Sequence, residues 1–103
     1  MKMIVAVLNA RPGMRPQLIE LLRAHRARTL TEPGCQLFEV LPLDDTPEGV
    51  HLAEVYASAE AHRMHDQMDY MQRFLAELPR YCARFRGNAL VSDDVEVMAA
   101  DFS

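Results

Sequence analysis

The sequence predicts an α+β fold in which one antiparallel sheet carries its helices on a single face. Three observations predict it. Short runs rich in Ile and Val alternate with stretches whose apolar residues recur at helical spacing. Pro-Gly pairs and Asp- and Gly-rich stretches separate the runs, and the strand candidates are apolar on both sides. With 103 residues the chain is long enough for one domain and too short for two. A single domain over 1–103 is expected, with 1–98 as folded core and 99–103 as a tail.

Met3 to Leu8 reads as a buried strand, closed by Arg11-Pro12-Gly13. Met14, Leu18, Leu21, Leu22 and His25 then recur on one helical face, and Pro33-Gly34 stops the pattern, so a helix is expected over about 14–31. Cys35–Leu41 and Val50–Tyr56 flank the turn-rich Asp44-Asp45-Thr46-Pro47-Glu48-Gly49 and predict a hairpin. Ser58 can cap a helix bearing Ala61, Met64, His65 and Met68, and Asp69 can cap the next, with Met71, Phe74, Leu75 and Leu78. Pro79 ends or kinks that helix, although Leu78, Tyr81, Cys82 and Phe85 repeat its spacing and are compatible with an extension to Gly87-Asn88. Ala89 to Met98 reads as a last strand with a break at Ser92-Asp93-Asp94. The order βαββααβ is that of a ferredoxin-like plait.

Helices can cover only one face of this sheet. Leu37 and Leu41 project opposite to Phe38 and Val40, and Leu52 and Tyr56 opposite to Ala53 and Val55, so the second face is also apolar. A homodimer packed sheet face to sheet face is expected.

Composition narrows the function. Fifteen acidic against 11 basic residues give a formal charge of -4, which offers no basic field to nucleic acid or an anionic membrane surface. The chain is 50% apolar and 25% charged, which excludes a disordered polymer. Cys35 and Cys82 make no disulfide framework or zinc spacing and are expected reduced and buried. The start lacks the pattern of a secretion signal, and no run approaches a membrane span, so a cytoplasmic protein is expected.

A set of features in fixed order carries a likeness. The opening strand ends in Arg11-Pro12-Gly13, the first helix closes in Thr31-Glu32-Pro33-Gly34-Cys35, and Glu54-Val55-Tyr56-Ala57-Ser58-Ala59-Glu60-Ala61 is followed by His65, nine residues after Tyr56. Over nearly its whole length the chain resembles the antibiotic biosynthesis monooxygenase family of dimeric α+β barrel proteins. Glu54, Tyr56 and His65 match that family's Glu-x-Tyr strand and following His. The resemblance implies a cavity between sheet and helices and, in characterised members, oxygenation of phenolic or quinol-like substrates without metal or prosthetic group. The family also holds haem-degrading and isomerase-type members. The haem-degrading pattern is broken here: there is no Trp, Leu75 stands where a haem-ligating His would be, and Asn9 is shifted toward the loop.

His65 is the leading catalytic candidate, because an imidazole on the sheet-facing stripe can take or give a proton near neutral pH. Its structural reading is a core histidine bonded to a carboxylate or carbonyl. Glu54 lies on an apolar strand face and needs a partner, either His65, whose tautomer it would orient, or an Arg that stitches helix to sheet. Tyr56 and Tyr70 can bond a substrate oxygen or stack on its ring, or simply fill core. Met64 and Met68 suit a pocket for a flat apolar ligand, as do Met14 and Met71, and His25 and Asn9 complete the candidate substrate contacts. His62 and His65 form H-x-x-H, but His62 sits off the apolar stripe and no third ligand is evident, so no metal is expected, and the family resemblance implies no cofactor. The Arg23, Arg26 and Arg28 cluster reads as a solvated helix face.

Two functions follow. The first is a cofactor-independent monooxygenase that oxidises a small phenol or quinol with dioxygen. The alternative is a non-oxidative dimer of the same fold that binds a small molecule or isomerises one.

Overall fold

A computed structural model describes residues 1–91 and 94–102, Asp94 by its backbone alone. The strands are β1 (Lys2–Ala10), β2 (Cys35–Pro42), β3 (Gly49–Tyr56), β4 (Cys82–Val91) and β5 (Asp94–Asp101), and the helices are α1 (Arg15–Thr29), α2 (Ala59–Asp66) and α3 (Asp69–Glu77). They form one sheet in the order β2-β3-β1-β4-β5, with every neighbouring pair antiparallel. This is the ferredoxin-like α+β arrangement, and β1 lies at its centre because it is the most apolar strand.

Register sorts the side chains into two faces. Rows that cross all five strands, such as Glu96–Ala89–Ile4–Glu54–Phe38 and Met98–Gly87–Ala6–Leu52–Val40, face the helices. Leu18 and Leu22 of α1, fully buried, and Phe74 of α3 pack onto them with Leu8, Phe38 and Val50. Each such aliphatic side chain contributes about 1.5–3 kcal/mol of burial free energy. Gly87 serves this packing, because a Cβ there would stand 3.0 Å from the Cβ of Ala6.

The opposite face carries the rows Val95–Leu90–Met3–Val55–Leu37 and Val97–Asn88–Val5–Ala53–Glu39. Val97 is 76% exposed and Val95 62%, and Met3, Val5, Leu37, Leu41 and Leu90 are exposed beside them.

Local chemistry places the connections. Gly13 adopts φ 77° between β1 and α1, a backbone state that side chains disfavour. Arg15 ties the start of α1 to the β2–β3 loop by donating to the carbonyls of Leu43 (2.8 Å), Pro47 (3.0 Å) and Thr46 (3.2 Å). Ser58 caps α2 as expected, its Oγ accepting from the Ala61 N–H at 3.0 Å. Asp69 does not cap α3: Met68 holds the capping position, and Asp69 is the first helical residue, where its charge suits the helix dipole.

The C-terminal third differs from the reading of helical spacing. Tyr81, Cys82 and Phe85 do not extend α3. Pro79 confines the chain to a 3-10 turn, Leu78–Arg80, after which Phe85, Gly87 and Ala89 point inward while Arg84, Arg86 and Asn88 point outward. That period of two is a strand's. The expected last strand is therefore two strands, which makes the order βαββααββ; the Ser92-Asp93 part of the expected break lies outside the described residues. Residues 99–101 are not a tail but the end of β5, and Phe102 packs against the core, its carbonyl held by Arg11 Nη2 at 2.9 Å. Ser103 lies outside the described residues. Among the described residues no helix is long and apolar enough to cross a membrane.

Candidate functional site

Between the inner face of the sheet and the helices lies a cavity of about 290 Å³. Its walls are mostly apolar: Ile4, Leu8, Leu52 and Phe85 from the sheet, Met71, Phe74 and Leu75 from α3, and Met98, Ala100 and Phe102 from the last strand and its end. Five ionisable side chains also line it: His25 of α1, Glu54 of β3, and His62, His65 and Asp66 of α2.

His65 faces inward as expected and is 1% exposed. Its partner is Glu32, in the turn after α1: Nδ1 lies 2.8 Å from Glu32 Oε2. A carboxylate only accepts, so Nδ1 carries the proton and Nε2 is the nitrogen with a free lone pair. Tyr70 donates its hydroxyl to the same carboxylate oxygen. Glu32 is itself nearly buried at 9% exposure, so two donors compensate its desolvation.

Gly34 makes this meeting possible. A Cβ at Gly34 would stand 2.5 Å from the Cβ of Ala61, so only glycine lets the turn carrying Glu32 press against α2. The Gly34 carbonyl also accepts from the Ala57 N–H at 2.8 Å, fixing the entry into α2. In the sequence Glu32 stands within the turn Thr31-Glu32-Pro33-Gly34, away from every site candidate. A carboxylate beside a helix-stopping Pro-Gly is the local signal, and nothing in the sequence pairs it with His65, 33 residues on.

Glu54 lines the cavity but does not hold His65. It accepts from Tyr56 Oη at 2.5 Å, two residues along the same strand face. Neither proposed partner, His65 or an Arg, is the one it bonds. Burial pushes the Glu54 carboxyl above its usual range, against the opposing bond from Tyr56 and the nearby His65. Burial also pushes the Tyr56 phenol up, reinforced by the Glu54 charge. Tyr56, fully buried, and Tyr70 thus stand behind the cavity as partners of the two carboxylates and are not among its lining residues.

Three expected contacts are elsewhere. Asn9 falls on the outer face of β1, in register with Arg84, because strand alternation sends odd-numbered β1 residues away from the helices. Met64 is 56% exposed on the solvent side of α2, and Met68, half-buried, caps α3 outside the cavity lining. Met64, one residue before the inward His65, is turned about 100° from it around the helix, and Met68 falls beyond Asp66, where α2 ends.

His25 does line the cavity. It is 3% exposed, stacks on Phe74 with centroids 4.0 Å apart and planes at 16°, and stands 5.3 Å from the His65 ring. Its Nδ1 has no hydrogen-bond partner among the described residues. Burial, then the neighbouring His65 and Arg28, lower its pKa to about 3. His62, expected off the apolar stripe, also reaches the cavity, 4.9 Å from the Tyr56 ring and 3.6 Å from Asp66 Oδ1. Its pKa is lowered by burial, which outweighs the pull of Asp66. His51 is exposed on the outer face. Among the described residues no three His, Cys, Asp or Glu side chains come together as a metal would need, and no disulfide forms: Cys82 is buried as expected, but Cys35 is only half-buried.

The fold thus places a histidine-bearing, mostly apolar cavity between the sheet and the helices of an α+β protein. The antibiotic biosynthesis monooxygenase family model matches residues 1–77, and the chain belongs to that family. No curated protein matches it. Its fold is similar to that of a protein from Shewanella oneidensis, with a TM-score of 0.82, 22% identity, and 94% and 91% of the two chains covered. It is similar to a Mycobacterium tuberculosis protein, with a TM-score of 0.81, 24% identity, and 90% and 95% covered. It is likewise similar to a variant of SnoaB, a cofactor-independent oxygenase from Streptomyces nogalater, with a TM-score of 0.80, 12% identity, and 90% and 93% covered. At these identities the likeness is one of fold.

Proposed function

We propose that this protein is a cofactor-independent monooxygenase that oxidises a small phenolic or quinol-type aromatic with dioxygen, and that it acts as a homodimer. The observation that carries the reading is an inward imidazole, oriented through Nδ1 by a buried carboxylate, beside an apolar cavity. Family membership and the likeness to SnoaB support it.

The phenol enters with its hydroxyl toward His65, and Nε2 takes the proton while Glu32 steadies the imidazolium that forms. The phenolate is a far better electron donor than the phenol. It passes one electron to dioxygen, the two radicals join as a ring-carbon peroxide, and loss of water leaves a quinone. One phenol and one dioxygen give one quinone and one water, so the balance closes without another reductant. The apolar walls align the ring and keep bulk water from the anion. Glu54, kept toward its protonated form by burial, sits where it can bond a second oxygen of the substrate.

The outer rows of the sheet support the dimer, since an exposed apolar face this continuous is covered in stable proteins. Both thiols are free, in keeping with the reducing cytoplasm. The test is dioxygen consumption over a panel of quinols and naphthols by wild type and His65→Ala, with light scattering to follow the dimer. The expected result is uptake that falls on the order of 100-fold or more in an intact dimeric variant, as loss of a general base requires. Ligand binding without uptake in the wild type overturns oxygenation and favours the isomerase or binding reading.

A further inference from the structure

We propose that the cavity takes its ligand lengthwise, an oxygen-bearing end toward His65 and an apolar remainder toward Phe102, and that Phe102, positioned by Arg11, is the specificity-determining residue that limits ligand length. This deepens the reading above and rests on that cavity being the binding site.

Strand register gives the cavity two unlike ends. Ile4 and Glu54 share the first inward row, Ala6, Leu52 and Met98 the next, and Leu8, Phe85 and Ala100 the third. Ile4 and Leu8 are four residues apart, so the first and third rows stand about 13 Å apart along the strands. The ionisable side chains gather at the first row. Glu54 belongs to it, the His62 and His65 rings lie 4.9 and 5.4 Å from the ring of Tyr56, two residues further along β3, and His25 lies 5.3 Å from His65. At the third row the walls are Leu8, Phe85, Ala100 and Leu78, with Phe102 just beyond, and among the described residues no ionisable side chain lines that end. An oxygen carried to the third row would give up its water to meet only apolar side chains, whereas at the first row it meets the imidazole of His65. The ligand that suits both ends is polar at one and apolar at the other.

Phe102 closes the apolar end, and its position is unusually well fixed. β5 is an edge strand bonded to β4 alone, so no second strand holds its end in place. Its alternation turns Met98 and Ala100 inward, and Phe102 follows as the next inward residue. The Phe102 N–H donates to the Ala83 carbonyl at 2.9 Å, and its carbonyl accepts from Arg11 Nη2 at 2.9 Å. The same guanidinium donates through Nε to the Pro79 carbonyl at 2.7 Å, in the turn that follows α3. One rigid planar fork therefore ties the end of β5 to the end of α3, the two elements that flank the apolar end of the cavity. Arg11 is not itself a lining residue. It acts through the ring of Phe102.

The experiment is calorimetric titration of the wild-type protein with a series of 4-alkylphenols from 4-ethylphenol to 4-octylphenol. The ring occupies about half of the distance between the rows, which leaves room for a tail of about four to six carbons. Affinity should rise by about 4-fold per methylene up to that length and rise no further beyond it. Phe102→Ala should carry the rise on by about two or more carbons, and Phe102→Trp should end it sooner. Arg11→Ala should lengthen the limit when Phe102 is present and add nothing to Phe102→Ala, because the two act on one wall. An Arg11→Ala protein that weakens every member of the series equally, with the limit in place, overturns the role given to Arg11. A rise that continues unbroken to 4-octylphenol in the wild type, a limit that stays in place in folded Phe102→Ala, or failure of every member to bind overturns the proposal. Dioxygen uptake with quinols, measured alongside, separates the two readings: the expected length limit and its shifts without uptake refute oxygenation only, and uptake with no length limit refutes the role of Phe102 only.

Discussion

His25 gives acid sensitivity a sign and a size. The native cavity holds its imidazole neutral, with the pKa lowered from 6.5 to about 3 by burial and then by His65 and Arg28. The unfolded chain releases the ring to its ordinary value. Below pH 6.5 the unfolded state therefore binds a proton that the native state refuses, and stability falls as pH falls, by about 1.4 kcal/mol per unit until the native pKa is reached. Above pH 6.5 both states are neutral and His25 contributes no slope. Between pH 7 and 4.5 the loss is roughly 2.5 kcal/mol, set mainly by the unfolded value because the whole window lies above the native one. Urea unfolding across this window, at fixed protein concentration so that any association is held constant, should show that loss in the wild type. His25→Phe conserves a flat ring against Phe74 and should lack this part of the slope. The difference between the two proteins isolates His25 from Glu54, whose raised pKa acts in the opposite direction. Parallel stability curves for the two proteins would mean that the native ring takes a proton freely, and the buried neutral imidazole would be refuted.

Glu32→Gln removes the charge that steadies the His65 imidazolium; kcat for dioxygen uptake should fall by about 10- to 100-fold with KM little changed, and an unchanged kcat would remove Glu32 from the chemistry. Gly34→Ala places a Cβ 2.5 Å from that of Ala61, so it should lower stability by about 1–3 kcal/mol and move α2 with His65, read as a drop in Tm and weaker binding of 2-naphthol; a wild-type Tm would show that the turn yields freely. Val97→Asp puts a charge on the most exposed residue of the outer apolar rows and should shift the light-scattering mass from dimer toward monomer; an unchanged dimer would place the interface elsewhere.

The fold was legible as far as Leu78 because its signals are local: Ile/Val runs, one capping Ser58, and Pro-Gly stops. Beyond it, Leu78, Tyr81, Cys82 and Phe85 satisfy helical spacing by coincidence, and the alternation from Cys82 onward, with Arg84, Arg86 and Asn88 outward, was the truer signal. The site was half legible. His65 could be placed from its stripe, and Glu54 from its strand parity. The partner of His65 could not, because Glu32 reaches it across 33 residues through a contact that only the absent side chain of Gly34 permits. Met68 was misplaced because helical periodicity does not say where α2 stops, Met64 because it stands about 100° around the helix from His65, and Asn9 because the parity that puts Ile4 and Leu8 inside puts Asn9 outside.

The most direct measurement of the central claim follows dioxygen consumed, quinone formed and hydrogen peroxide released in one vessel, with chelator-treated wild type and His65→Gln run side by side on a binding naphthol or quinol. If His65 takes the phenolic proton and the anion reacts with dioxygen in the cavity, one quinone forms per dioxygen, free peroxide stays near background, and the variant loses both signals together. Turnover in the variant at the wild-type rate, or activity that the chelator abolishes, would contradict it.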